Sequence, residues 1–358
     1  MKRLLNTLYI TSPDRYLALD GENVVVYEKR SLPSREGSGM KHEKEAEIGR
    51  VPLHNLESIV TSGYTGASPA LMAACAKHDI GLTFLSGNGR FLARVSGEVR
   101  GNIILRKEQY RVTMSGEESI RIARNCILGK VYNAKWVLER ACRDYPMRLD
   151  VEKIRRKSGF LSEALKKIEV CNVPNELRGV EGEAASVYFS VFDDLILQQK
   201  DHFVFKGRSK RPPTDNVNAM LSFAYTLLTS MCAGALETVG LDPYAGFFHT
   251  DRPGRMSLAL DMVEELRSVV ADRFVLTLIN KKMVNAGGFS QKENGAVIMD
   301  DDTRKLFISQ WQLKKQDVIT HPFLGEKIEW GMVPYVQAML VARYLRGDLD
   351  EYPPFFWK

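Results

Sequence analysis

Apolar positions change their period about one hundred residues into the chain. Before that point they form short β-branched and aromatic runs, LNTLYITS (4–11) and NVVVYEK (23–29), with Asp20-Gly21 between them as a hairpin signal. SPALMAACAKHDI (68–80) predicts a helix capped by Ser68 and opened by Pro69. GLTFLS (81–86) and RFLARV (90–95) return to strand around a turn at Gly87-Asn88-Gly89. LPSREGSGMKHEKEAE (32–47) is polar, glycine-bearing and aperiodic, which predicts a mobile loop.

From about Glu108 the apolar spacing becomes three and four. EESIRIARNCILGKVYNAKWVLERACRDY (117–145) predicts a long helix, and others follow at about 151–169, 181–199, 215–238 and 257–271. Asp215 is the expected cap of the fourth, with Asn218 fixing that helix end. The expected fold is α+β: a small β-rich N-terminal domain over 1–100, then a larger all-α domain over 108–345, with a boundary near 96–108. Residues 346–358 form a tail, whose EYPPFFWK is aromatic enough to pack on the body or on a partner.

Composition narrows the class. The chain has 358 residues, 44% hydrophobic and 26% charged, as folded domains do. No stretch approaches the roughly 18 consecutive apolar residues that span a bilayer, and the start turns polar too soon for a signal peptide. The expectation is a cytoplasmic protein with no membrane partner. Cys75, Cys126, Cys142, Cys171 and Cys232 form no CxxC pair, so they read as small buried hydrophobes, not as zinc ligands or disulfides. The net charge of +6 is clustered: one knot holds Lys206, Arg208, Lys210 and Arg211, another Lys153, Arg155, Arg156 and Lys157. Such knots are solvated loops or contacts to a polyanion.

The chemistry concentrates in GFFHTDRPGRMSLALDMVEELR (246–267). Leu258, Met262, Leu266 and Val270 form an apolar stripe, while Asp261, Glu264, Glu265 and Ser268 fall on another strip behind a lone His249. Like charges at that spacing repel, so the strip is either a solvated acidic face or a site that attracts a cation. In LRGVEGEAASVYF (177–189), Glu181 sits at the expected start of another helix, where the helix dipole alone could favour it. Two carboxylates with one imidazole suit Mg²⁺ or Mn²⁺ better than Zn²⁺. His42, His54, His78, His202 and His321 have no expected role.

Three motifs in order, LRGVEGEAASVYF, RPPTDNVNAMLSFAYTLL (211–228) and the 246–267 stretch, resemble the CRISPR-associated spacer integrase family, the first of the two universal adaptation proteins, in its subtype I-C branch. PLHNLESIVTSGYTGASPALMAACAKHDIGLTFLS (52–86) is similar to that family's β-domain. The resemblance implies metal ligation by Glu181, His249 and Glu264, with Asp261 as a further catalytic acid; many members have aspartate at the position of Glu264. Arg267 matches a basic position implicated in DNA contact, and Lys206, Arg208, Lys210, Arg211, Arg252 and Arg255 are counted with it as DNA-binding candidates. It further implies a metal-dependent DNA integrase and endonuclease of CRISPR adaptation and antiviral defence. That enzyme acts on a protospacer duplex and a CRISPR repeat by phosphodiester hydrolysis and transesterification. The implied assembly is two homodimers, each formed through the N-terminal domain, bridged by a dimer of the second, small adaptation protein. Two other readings remain: a DNA repair or recombination nuclease, and a non-catalytic nucleic-acid scaffold, which would leave the acid–histidine cluster unexplained.

Overall fold

A computed structural model of the chain describes residues 7–10, 15–30, 44–56, 58–62, 65–78, 80–86, 91–95, 103–209 and 212–358. The chain divides into two units, 1–100 and 101–358. In the first, β1 (Thr7–Ile10) is followed by β2 (Arg15–Asp20) and β3 (Asn23–Arg30). Asp20 and Asn23 close the β2–β3 hairpin in antiparallel register. The Asp20-Gly21 turn therefore joins β3 to β2, a strand the apolar runs did not predict, and not to the run at 4–11. Continuing along the chain come β4 (Lys44–Pro52), β5 (Ser58–Ser62), β6 (Gly66–Ala67), α1 (Pro69–Lys77), β7 (Gly81–Leu85) and β8 (Phe91–Val95). Residues 44–47, expected in a loop, instead open β4 because they pair with β3; the rest of that loop and the turn at 87–89 lie outside the described residues.

These strands make two four-stranded sheets, ordered β1-β5-β7-β8 and β4-β3-β2-β6. β1, β5 and β7 run parallel, which requires a crossover, and α1 supplies the one between β5 and β7. Ser68 caps α1 by accepting from the Leu71 amide, with Pro69 at the first position, as its sequence predicts. Leu17, Val24, Ile59, Leu71, Cys75 and Leu82 form the buried centre of this unit.

The second unit is mostly helical: α2 (Ile103–Met114), α3 (Gly116–Asp144), α4 (Val151–Glu169), α5 (Pro174–Phe189), α6 (Asn216–Thr238), α7 (Ser257–Leu266) and α8 (Arg273–Asn280). It also carries two ribbons that periodicity did not predict, β9 (Phe289–Gln291) with β10 (Val297–Met299), and β11 (Val318–Thr320) with β12 (Lys327–Glu329). Between and after these ribbons lie α9 (Asp301–Gln316) and α10 (Val333–Leu345). Two expected helices shift. The one placed at 181–199 runs from Pro174 to Phe189, opened by that proline. The one placed at 257–271 leaves α-geometry at Arg267 for a π-helical stretch, Arg267–Asp272, before α8 continues it. By length and composition α6 could cross a membrane, yet most of it is buried in this unit and it reads as a core helix. All five cysteines are buried and free.

α7 is buried almost throughout, with only Leu260 partly open. A Cβ at Gly129 of α3 would meet the Glu265 Cβ at 2.9 Å, so only glycine lets α3 and α7 lie this close. The tail closes over the same place. Asn133 on α3 donates to the carbonyls of Glu265 and Phe355, each at 2.7 Å, and accepts from the Trp357 amide. Glu265 faces this tail, away from Asp261 and Glu264. Its carboxylate accepts from the Tyr352 hydroxyl, the Phe355 amide at 2.8 Å and Gln337 at 3.2 Å, and Gln337 in turn pairs with buried His321. The tail thus packs on the body through buried Tyr352 and Phe355.

Burial pushes the Glu265 carboxyl up to about 7, against the pull of its hydrogen bonds from Tyr352, Phe355 and Gln337. A carboxyl raised on folding contributes stability that is present below its unfolded pKa and lost as pH rises through 7. Wild-type stability should therefore decline between about pH 4.5 and 8 relative to Glu265→Gln, by roughly 3 kcal/mol at most. Urea denaturation of both proteins across that range measures the difference; parallel curves would contradict it.

Candidate active site

The loop that carries His249 is fixed before the histidine itself is considered. Gln109 of α2 donates to the carbonyls of Asp242 (2.8 Å) and Ala245 (2.9 Å) and accepts from the Asp242 amide. Ser119 of α3 holds the Phe247 carbonyl at 3.0 Å, and Arg178 of α5 holds that of Phe248. Gly246 lets the loop lie directly on α7: a Cβ there would fall 2.7 Å from Ser257 Cβ and 2.9 Å from Asp261 Oδ2.

Asp261 is the acceptor at the centre of this loop. Its Oδ2 takes the amides of Phe247 (2.7 Å) and Phe248 (3.0 Å), and its Oδ1 takes the amide and Nδ1 of His249 (3.0 and 2.7 Å). Fully buried and with four N–H donors, it has no oxygen left for a metal or a substrate. In this geometry Asp261, expected as a further catalytic acid, is engaged in holding His249 and its loop. A carboxylate can only accept, so Nδ1 carries the hydrogen and Nε2 is the ring nitrogen that faces away from Asp261. Nε2 lies 4.0 Å from Glu264 Oε1.

Glu264 is also buried, which rules out a solvated acidic face. Its Oε2 lies 2.5 Å from Lys130 Nζ of α3 and 3.1 Å from Arg267. Burial pushes its carboxyl up, but Lys130 and Arg267 prevail and hold it well below the usual carboxylate range. Glu181 comes from α5 and pairs with the same Lys130 ammonium. It lies two turns inside that helix, so the dipole of a first turn does not account for it. One lysine thus bridges two acids from different helices, with the imidazole beside them.

Behind this group, the Tyr225 ring carries the guanidinium groups of Arg267 (4.5 Å) and Arg208 (5.1 Å), and its hydroxyl donates to Asp272. Arg208 is further committed to Asn218 and Ser222, so it secures the start of α6. Asn218 also donates to Gly207 and Asp215, and Asp215 caps α6, the structural part expected of both. Arg267, expected on DNA, is mainly internal, although with Lys206 and Arg208 it lines a cleft of about 460 Å³ beside Lys130 and Glu181. Lys206 and Arg252 are exposed, whereas Arg255 is tied to Thr250. Lys210 and Arg211 lie outside the described residues. In the other knot Lys153 pairs with Asp194, while Arg155 and Arg156 are exposed.

Glu181, His249 Nε2 and Glu264 form a donor set of the hard type that could hold a divalent cation, and an ammonium already fills the space between the acids. With Lys130 in place, no three His, Cys, Asp or Glu groups among the described residues converge closely enough to ligate an ion. Sequence reasoning missed Lys130, Tyr225 and Asp272. The signal for Lys130 was available: it interrupts a stripe of Ile127, Val131 and Ala134 on α3, where a lysine must find a partner.

The family model described as CRISPR associated protein Cas1 matches residues 8–313. The chain is 46% identical to a protein of Chlorobaculum tepidum named CRISPR-associated endonuclease Cas1 1, over 100% of both chains. Among solved structures it is similar to a casposase bound to integration product, with TM-score 0.81 and 22% identity over 99% of this chain and 95% of the other. A second is a chain of a Cas6-RT-Cas1–Cas2 complex, with TM-score 0.78 and 18% identity over 100% of this chain and 36% of the other. Both structural likenesses concern the fold.

Asp261→Asn should cost about 3 kcal/mol, because an amide nitrogen would face N–H donors that are now satisfied. Gly246→Ala should cost about 1–3 kcal/mol through the clash with Ser257. Since both changes open the same loop, the double variant should lose less than the sum. Chemical denaturation of the four proteins measures this, and strict additivity would contradict a shared lock.

Proposed function

From the premise that the chain belongs to the Cas1 family of CRISPR-associated proteins, we propose that it is a metal-dependent DNA integrase and endonuclease that inserts short DNA fragments as new spacers at a CRISPR repeat. The observation that carries this reading is that Glu181 of α5 and Glu264 of α7 share the Lys130 ammonium, with His249 Nε2 4.0 Å from Glu264, beside a cleft lined by Lys206, Arg208 and Arg267. The system would be of the subtype I-C kind that its motifs resemble, working in the cytoplasm. Its partners would be a protospacer duplex, the repeat, a second copy of the chain joined through the β-rich unit, and the small Cas2 protein. The similarity to a chain from a complex containing Cas2 supports that last partner.

In the reaction, the 3′-hydroxyl oxygen of the incoming strand forms a bond to a repeat phosphorus while the bond from that phosphorus to the repeat strand's own 3′-oxygen breaks. With water in place of the hydroxyl, the same exchange is cleavage. Glu181, Glu264 and His249 Nε2 would hold Mg²⁺ or Mn²⁺, which supplies charge stabilisation to the crowded phosphorus and the departing oxygen. The chain's own contribution is placement. Asp261 keeps hydrogen on His249 Nδ1 so that Nε2 stays an electron-pair donor, and Arg267 steadies the Glu264 carboxylate. Lys206 presents an exposed cation along the cleft for the phosphate backbone.

Incubation of the purified chain with Cas2, a short duplex, a repeat-bearing plasmid and Mn²⁺ distinguishes the outcomes. Branched, joined DNA is expected; cut DNA alone would point to a repair nuclease. Glu181→Ala, His249→Ala and Glu264→Gln should each lose several orders of magnitude in joining rate while remaining folded by circular dichroism. Glu264→Asp should keep measurable activity, more in Mn²⁺ than in Mg²⁺, whose octahedral geometry is stricter. Near-normal joining by His249→Ala would remove the histidine from the site.

A further inference from the structure

Lys130 is 7% exposed, on a helix face otherwise given to packing. Its ammonium touches Glu181 from α5 and lies 2.5 Å from Glu264 of α7. The cluster of buried Lys130 and Glu264 with partly buried Arg267 and Glu181 therefore carries no net charge as it stands. Placing a divalent ion among these groups without moving Lys130 would set two further positive charges against a buried ammonium. At a few ångströms in a partly dry site, such repulsion exceeds thermal energy several-fold. Moreover, the lysine occupies the place between the two acids that an ion would bridge.

An exit exists. Lys130 lines the cleft of about 460 Å³ that Ser186, Ser190, Lys206 and Arg208 also line. A lysine has a flexible four-carbon stem and a point charge that bonds in any direction, so a rotamer change can carry its ammonium from the acids into this cleft.

Resting on the metal-site reading above, we propose that Lys130 is a built-in counter-ion. It holds Glu181 and Glu264 in register without a divalent cation, yields to that cation when it binds, and turns its ammonium toward a nucleic-acid phosphate in the cleft. Lys130 is then a positioning residue in one state and a phosphate contact in the other. Two consequences follow from linkage. Lys130 weakens metal binding to the free protein by competition. DNA strengthens metal binding by drawing the ammonium away, and metal strengthens DNA binding by the same factor.

The test is Mn²⁺ binding to the full chain, followed by electron paramagnetic resonance, with and without a short duplex. Without DNA, Lys130→Gln should bind Mn²⁺ at least about tenfold more tightly than wild type, and Lys130→Arg, which keeps the charge, no more tightly. The duplex should tighten Mn²⁺ binding to wild type by about fivefold or more and leave Lys130→Gln nearly unaffected. Should Lys130→Gln fail to fold, the wild-type response to DNA and the Lys130→Arg comparison still decide the matter. Wild type that binds Mn²⁺ without any response to DNA, or Lys130→Gln that binds no more tightly, overturns the counter-ion. Absence of Mn²⁺ binding in every variant overturns the metal-site reading along with it.

Discussion

A carboxylate taken out of water has to be paired, and α7 takes three of them. Each is satisfied in a different direction. Asp261 turns to the amides of its own preceding loop and to His249. Glu264 turns to Lys130 and Arg267. Glu265 turns to the C-terminal tail. Loop, neighbouring helices and tail are thereby referred to one ten-residue helix, so the geometry of the site follows from the demand for partners on α7.

That arrangement explains why the site is surrounded by features with no chemistry of their own. Gly129 and Gly246 allow approaches that any side chain would prevent. Asn133 joins α3, α7 and the tail through three hydrogen bonds. Tyr225 supports two guanidinium groups, one of which steadies Glu264. Placement of a catalytic group to within a fraction of an ångström depends on such support, because a displacement of about 1 Å can cost on the order of a hundredfold in rate.

Much of this was legible in the residues, and the remainder was illegible for definite physical reasons. Caps are local, so Ser68 and Asp215 announced α1 and α6 correctly. Helical periodicity gives the angle of a side chain about its axis but not what lies opposite. It therefore grouped Asp261, Glu264 and Glu265 on one strip although three unlike surroundings divide them. Glu181 looked like the start of a helix because Pro174 was not taken as the opening residue. β2 escaped because its alternation is brief, and residues 44–47 escaped because pairing with β3 overrides their polarity. Lys130 was the largest omission, since its importance lies in two acids 51 and 134 positions away in sequence.

What most needs testing is the proposal that Glu181, His249 and Glu264 would hold a divalent cation where Lys130 now bridges the two acids. Anomalous diffraction from crystals grown with Mn²⁺ tests it most directly. The account predicts a single strong peak bounded by the two carboxylates and His249 Nε2, with Lys130 Nζ withdrawn from at least one acid. A peak elsewhere, or one beside a Lys130 that still spans both carboxylates, would contradict it.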